Sequence, residues 1–204
     1  MYLILKPETR KHIGSIETAV LEEGFRIASK HPIEDWTGLA RELYFHQSEK
    51  DPQFHAELEC YLWLTNHIFG NYAAAFILEK EGDITHNLQN LYKFKDKLRN
   101  RISNGSDRLL RIFLDVGKVD PTGKYGLSKQ ITLPAHSGKW DNYFFKYIHT
   151  PDPKPGAYER EITILKERGI LDKSLADRNW EQMKYMQSLV SPDGFRSGRR
   201  SNED

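Results

Sequence analysis

The chain has 204 residues, a formal net charge of +1, 38% hydrophobic residues and 29% charged ones. That length suits one domain with elaborations, and near-neutrality gives no general electrostatic attraction to nucleic acid or to an anionic membrane. The single cysteine, Cys60, excludes an internal disulfide and a cysteine-based zinc site.

No apolar run reaches the roughly 18 residues of a membrane span, and no signal-peptide pattern precedes the first strand-like run. The expectation is a soluble, cytoplasmic protein without membrane or nucleic-acid partners. In chain order, Tyr2 to Leu5 is a short apolar run stopped by Lys6-Pro7, a first strand. Thr9 is placed to cap a helix carrying Ile13, Ile16, Val20 and Leu21, and Gly24 sits where a C-terminal glycine belongs. Phe25 to His31 alternates as a strand with one wetter face. Ile33 to Gln47 has a helical stripe of Trp36, Leu39, Leu43 and His46, and Asp51-Pro52 opens another helix through Leu58, Tyr61, Leu62 and Thr65. Tyr72 to Leu78 is a central strand, and Ile84 to Ile102 is a long amphipathic helix through Leu88, Leu91, Phe94 and Leu98.

Ser103 to Trp140 is rich in Gly, Ser, Asp and Lys, with apolar patches at 109–116 and 131–133. A structureless loop of that length is unusual in a compact domain, so an ordered excursion with a hairpin is expected. Tyr143 to Ile148 reads as the last strand, Ala157 to Arg168 as a helix, Leu175 to Leu189 as an extra C-terminal helix. The resulting expectation is an α/β (α+β) chain of the ferredoxin-like, split β-α-β kind: a four-stranded antiparallel sheet with helices over one face. One domain spans residues 1–190, with an insertion at 103–142 before the last strand and a flexible tail at 191–204.

The chemistry concentrates near the end of the last strand. His149 follows the apolar run Tyr147-Ile148, and a Pro/Gly segment separates it from the acidic helix start Glu159-Arg160-Glu161. An imidazole at a strand end with a carboxylate near it is a candidate phosphoryl-accepting nucleophile. The other histidines form no metal-binding pair such as His-x-x-x-His, and no metal site is assigned. Gly117, Gly123 and Gly126 make no phosphate-loop pattern, and no serine nucleophile elbow occurs.

An ordered series of segments resembles the nucleoside diphosphate kinase family. Leu5-Lys6-Pro7-Glu8 is close to its Lys-Pro-Asp opening, and Ile13-Gly14-Ser15-Ile16 and Glu23-Gly24-Phe25-Arg26-Ile27 resemble its first helix and second strand. Glu42-Leu43-Tyr44 resembles its Glu-His-Tyr, Phe54 falls at its base-stacking phenylalanine, and Arg101 with Gly105 resembles its Arg-x-x-x-Gly. His149-Thr150-Pro151-Asp152 stands where the family has His-Gly-Ser-Asp. Ala157 to Ile162 resembles its Ala-Glu-Arg-Glu-Ile with one extra residue. The resemblance covers residues 2–102 and 143–166. It implies a ping-pong phosphotransferase acting on nucleoside di- and triphosphates, with magnesium arriving on the nucleotide, and a homo-oligomer. It also implies roles: His149 carries the phosphoryl group, Glu161 fixes its tautomer, and Lys6 and Arg101 hold phosphate. Tyr44 would position Lys6 or the phosphates, Phe54 would stack on the base, and Asp152 would make a water-mediated contact.

The chain also departs from that pattern. Thr150-Pro151 replaces Gly-Ser, removing the serine that orients the carboxylate. Lys146 replaces an asparagine and could meet phosphate or a sugar hydroxyl, and Asp107 falls near a phosphate-contacting threonine. The second phosphate-binding arginine has three candidates, Arg111, Lys124 and Lys129. These departures define the alternative, a non-catalytic nucleotide-binding or protein-interaction module on the same fold.

Overall fold

The computed structural model describes residues 1–103, 147–151 and 156–172. The predicted insertion, the helix at 175–189 and the tail lie outside these residues. The described chain runs β1 (Tyr2–Leu5), a 3-10 helix (Pro7–His12), α1 (Ile13–Glu22), β2 (Arg26–Ile33), α2 (Trp36–Leu43), α3 (Phe45–Lys50) and α4 (Pro52–Phe69). It continues through β3 (Ala73–Glu79), α5 (Ile84–Ser103), β4 (Ile148–His149) and α6 (Ala157–Glu167). Mixed α and β elements surround a four-stranded open sheet in the order β2-β3-β1-β4. Its pairings are antiparallel, compatible with a ferredoxin-like class.

The apolar strand runs occupy the middle of this sheet. Every residue of β1 is buried. Side chains alternate between faces along a strand, so both faces of β1 are covered. β2 lies at an edge, and its exposed and half-buried residues alternate as its sequence predicts. Pro32 is tolerated there because an edge strand needs fewer ladder donors. A bulge between Ile27 and Ser29 shifts its register against β3. One cluster of buried side chains joins the sheet to the helices, including Phe25, Trp36, Leu62, Phe76, Leu91, Phe94 and Leu165. Each fully buried side chain of this size contributes about 1.5–3 kcal/mol relative to an exposed one.

Three local expectations are corrected. Thr9 does not cap α1: it is buried within the 3-10 helix and donates its hydroxyl to the Lys6 carbonyl at 2.7 Å. The helix predicted from Ile33 to Gln47 is two helices. Ile33 finishes β2, Asp35 caps α2 by accepting from the Gly38 amide at 3.0 Å, and the helix breaks at Tyr44, whose ring is buried. His46, placed on the buried stripe by an unbroken helical period, is therefore exposed. Tyr147 is not a strand residue: its φ of 60° turns the backbone just before β4. The remainder of that predicted strand, residues 143–146, lies outside the described residues.

Among the described residues, no helix is long and apolar enough to cross a membrane.

Candidate active site

The register of β1 against β4 creates the site. Ile4 lies opposite His149 in an antiparallel pair. Residues opposite one another point to the same face, and so do residues two apart on one strand. His149 is thereby flanked by the side chains on either side of Ile4, those of Tyr2 and Lys6. The third contributor is α6, where Tyr158, Glu161, Ile162 and Leu165 form the buried stripe. A glutamate on an otherwise apolar helical stripe is brought inward by the same periodicity that buries its neighbours.

These elements assemble a line of polar groups through a buried region. Lys6 Nζ donates to Tyr44 Oη at 3.2 Å, and Tyr44 Oη lies 3.3 Å from His149 Nδ1. On the other side of the ring, His149 Nε2 lies 3.3 Å from Glu161 Oε1, within ion-pair distance but off the line of a hydrogen bond. Glu161 Oε2 accepts from Tyr2 Oη at 2.5 Å. Lys6, His149 and Glu161 are 1%, 9% and 6% exposed. A neutral imidazole with its proton on Nε2, toward the carboxylate, has its lone pair on Nδ1, where the Tyr44 hydroxyl can donate to it.

Lys6 is caged by aromatic faces. Its Nζ lies 5.5 Å from the Trp36 and Tyr44 ring centres and 5.6 Å from that of Tyr61. Ring quadrupoles attract the cation, but burial lowers its pKa from the usual lysine range to about 7. Glu8 opposes that shift, while Arg99 and Lys95 add to it. Glu8 is itself buried. Its Oε1 accepts from Tyr61 Oη at 2.9 Å and from the Tyr147 amide at 2.7 Å, and Oε2 has no hydrogen-bond partner among the described residues. Burial raises its carboxyl pKa, against the pull of Lys6 and these hydrogen bonds.

The backbone that carries His149 is held at three nearby carbonyls. Lys6 N donates to the Tyr147 carbonyl at 2.9 Å, Arg99 Nη2 to the Ile148 carbonyl at 2.7 Å, and Tyr92 Oη to the Pro151 carbonyl. Fixing the segment this way limits the freedom of the imidazole it bears.

The structure thus brings together Lys6, Tyr44, His149 and Glu161, all named from the sequence. Phe54 is close by, edge-on to Tyr44 with ring centres 6.2 Å apart, but buried. The Asp51 carboxylate places it by accepting from its amide at 3.1 Å. The Arg101 side chain, Lys146 and Asp152 lie outside the described residues, as do Asp107, Arg111, Lys124 and Lys129. Sequence reasoning missed Tyr2, Glu8, Tyr61 and Arg99. Tyr2 left a signal in strand alternation, which puts it on the face of Lys6, and Glu8 left one as the last residue of the Lys-Pro-Glu opening. Tyr61 and Arg99 sit in helical stretches where nothing marks them apart from core and surface positions. Comparison with protein-family models, curated proteins and solved structures returned no match for this chain.

Proposed function

We propose that this chain is a nucleoside diphosphate kinase-like phosphotransferase on a split β-α-β, ferredoxin-like sheet, with His149 as the phosphoryl carrier. The observation that carries this reading is the His149 ring held between Glu161 at Nε2 and the Tyr44–Lys6 pair at Nδ1. In the first half-reaction, the Nδ1 lone pair forms a bond to the γ-phosphorus of a nucleoside triphosphate. The bond from that phosphorus to the bridging oxygen breaks, and a nucleoside diphosphate leaves. The imidazole keeps its proton on Nε2, and Glu161 offsets the positive charge that develops on the ring. The second half-reaction is the reverse, onto another nucleoside diphosphate.

Lys6 stands where it can bond phosphate oxygens, and Tyr44 would move with it as the hydroxyl yields Nδ1 to the phosphorus. Phosphate beside Lys6 favours the charged ammonium, opposing the effect of burial. Magnesium would come with the nucleotide. It binds few protein carboxylates and keeps phosphate and water ligands, and no three His, Cys, Asp or Glu side chains converge among the described residues. Arg101, Lys146 and Asp152 retain the nucleotide-binding roles that the family resemblance implies. Phe54 serves as base platform only if α3 and α4 part to expose its ring. The cytoplasmic setting and the homo-oligomer belong to this same reading.

A second reading has its own observation. Lys6 and His149 are nearly sealed, and the buried Glu8 carboxyl stands close to the place a phosphate would take. A closed, partly acidic site suits a module that binds nucleotide or protein without turnover. The test is incubation with γ-labelled ATP and magnesium, comparing the wild type with His149→Ala. Acid-labile, base-stable label present only in the wild type, and discharged by nucleoside diphosphates, supports the phosphotransferase. A wild type that binds nucleotide but takes no label sinks it in favour of the binding module.

A further inference from the structure

Neither residue after His149 supplies a hydroxyl to Glu161. Among the described residues the buried Thr150 Oγ1 makes no hydrogen bond, and Pro151 has no hydroxyl. The hydroxyl comes instead from the far end of the chain. Tyr2, fully buried, donates from Oη to Glu161 Oε2 at 2.5 Å. Its ring also stacks against the imidazole, with centres 6.4 Å and planes 21° apart. We propose that Tyr2 is a positioning residue: its hydroxyl occupies one oxygen of Glu161 so that the other is presented to His149 Nε2, and its ring restrains the tilt of the imidazole. The inference rests on the phosphotransfer reading for its catalytic meaning and on geometry alone for its effect on the ring.

A carboxylate rotates about its last side-chain bond over broad wells. A short O–H···O⁻ bond is among the stronger hydrogen bonds available and fixes that rotation. The phenol remains a donor across the working range, because burial and the neighbouring Glu161 both raise its pKa. The strand register makes the arrangement self-consistent. Tyr2 and Lys6 lie on either side of Ile4, which faces His149, so β1 and the residue that follows it supply a positioning group to one ring nitrogen and a phosphate-side cation beyond the other. Tyr2 bonds neither substrate nor the reacting Nδ1: its hydroxyl acts through Glu161 and its ring through the stack on the imidazole.

The test is Tyr2→Phe, which deletes one oxygen and keeps the ring, with Glu161→Gln as the reference. Two-dimensional proton–nitrogen spectra of the imidazole, assigned against His149→Ala, read the tautomer without requiring turnover. The wild type is expected to show the Nε2–H tautomer. Tyr2→Phe is expected to show a mixture of both tautomers and to form phosphohistidine about tenfold more slowly, with nucleotide affinity unchanged. A wild-type tautomer ratio in Tyr2→Phe overturns the proposal. If Tyr2→Phe does not fold, the wild type still decides. A slowly exchanging downfield hydroxyl proton that disappears in Glu161→Gln supports the proposal, and its absence from the wild type overturns it. Should the wild type take no label from ATP while Tyr2→Phe still mixes the tautomers, the phosphotransfer reading falls and the positioning of His149 by Tyr2 stands.

Discussion

Two buried glutamates divide the labour of this site. Both are gripped by a tyrosine hydroxyl, Glu8 by Tyr61 at 2.9 Å and Glu161 by Tyr2 at 2.5 Å. They differ in what the rest of each carboxylate meets. Glu8 uses the same oxygen to hold the Tyr147 amide, and its other oxygen makes no hydrogen bond among the described residues. Glu161 turns its second oxygen to an imidazole nitrogen. One carboxylate is spent on backbone geometry, and the other faces a ring nitrogen. The lesson is that burial alone does not tell two carboxylates apart: what distinguishes these is whether the partner is a backbone amide or a side-chain imidazole.

The comparison breaks most visibly at Glu8. Tyr147 sits at a φ of 60°, a left-handed conformation that costs a non-glycine residue about 1–2 kcal/mol. Glu8→Ala removes the acceptor for that residue's amide and for the Tyr61 hydroxyl, and leaves Lys6 without its nearby carboxyl. Each buried donor left without a partner costs about 1–3 kcal/mol. A loss of about 3 kcal/mol in urea unfolding is expected. A loss below about 1 kcal/mol would mean that Glu8 does not hold the His149 segment in place.

Paired glutamine substitutions sharpen the contrast. Glu161→Gln replaces the carboxylate facing Nε2 with a neutral amide that no longer favours one tautomer or offsets charge on the ring. Phosphohistidine formation is expected to slow about 100-fold, equivalent to about 2.7 kcal/mol of barrier. Glu8→Gln keeps an acceptor for Tyr61 and the Tyr147 amide, and labelling is expected to stay within about threefold of wild type. Equal losses in the two variants, measured as single-turnover labelling rates, would erase the distinction between scaffold and chemistry.

Much of the architecture could be read from the chain because its period-two and helical patterns are strong. The limits of β1, the long α5 and the inward face of α6 follow from apolar spacing alone. The break at Tyr44 did not, because the stripe continues past it on paper to His46 while the backbone turns the tyrosine ring inward. At the site, Lys6, Tyr44, His149 and Glu161 were accessible through motif order. Glu8 was visible only as the last residue of the Lys-Pro-Glu opening. Its role depends on Tyr61, distant in sequence, and on an amide 139 residues away, contacts that exist only after the sheet closes. Tyr2 reads from the sequence as one more apolar strand residue. Its hydroxyl acquires meaning only when α6 brings Glu161 beside it.

The Lys6–Glu8 side of the site also carries a pH signal. Burial lowers the Lys6 pKa to about 7, whereas a lysine in the unfolded chain titrates near 10.4. Between these values the unfolded chain holds a proton that the native protein lacks. Stability therefore rises with pH across that window, by at most about 1.4 kcal/mol per unit. Below pH 7 both states are protonated at Lys6 and the slope ends. Glu8 acts in the opposite sense. Its raised carboxyl pKa means that the native state binds the extra proton. Its contribution is complete below the ordinary glutamate range and is lost as pH climbs through the folded value. The wild type should thus lose stability on leaving the acid side and recover it above neutrality. Lys6→Met should flatten the alkaline recovery and leave the acid-side fall, as read by urea midpoints from pH 5 to pH 10. An alkaline rise that survives in Lys6→Met would place its origin in another group and take from Lys6 its part in the comparison.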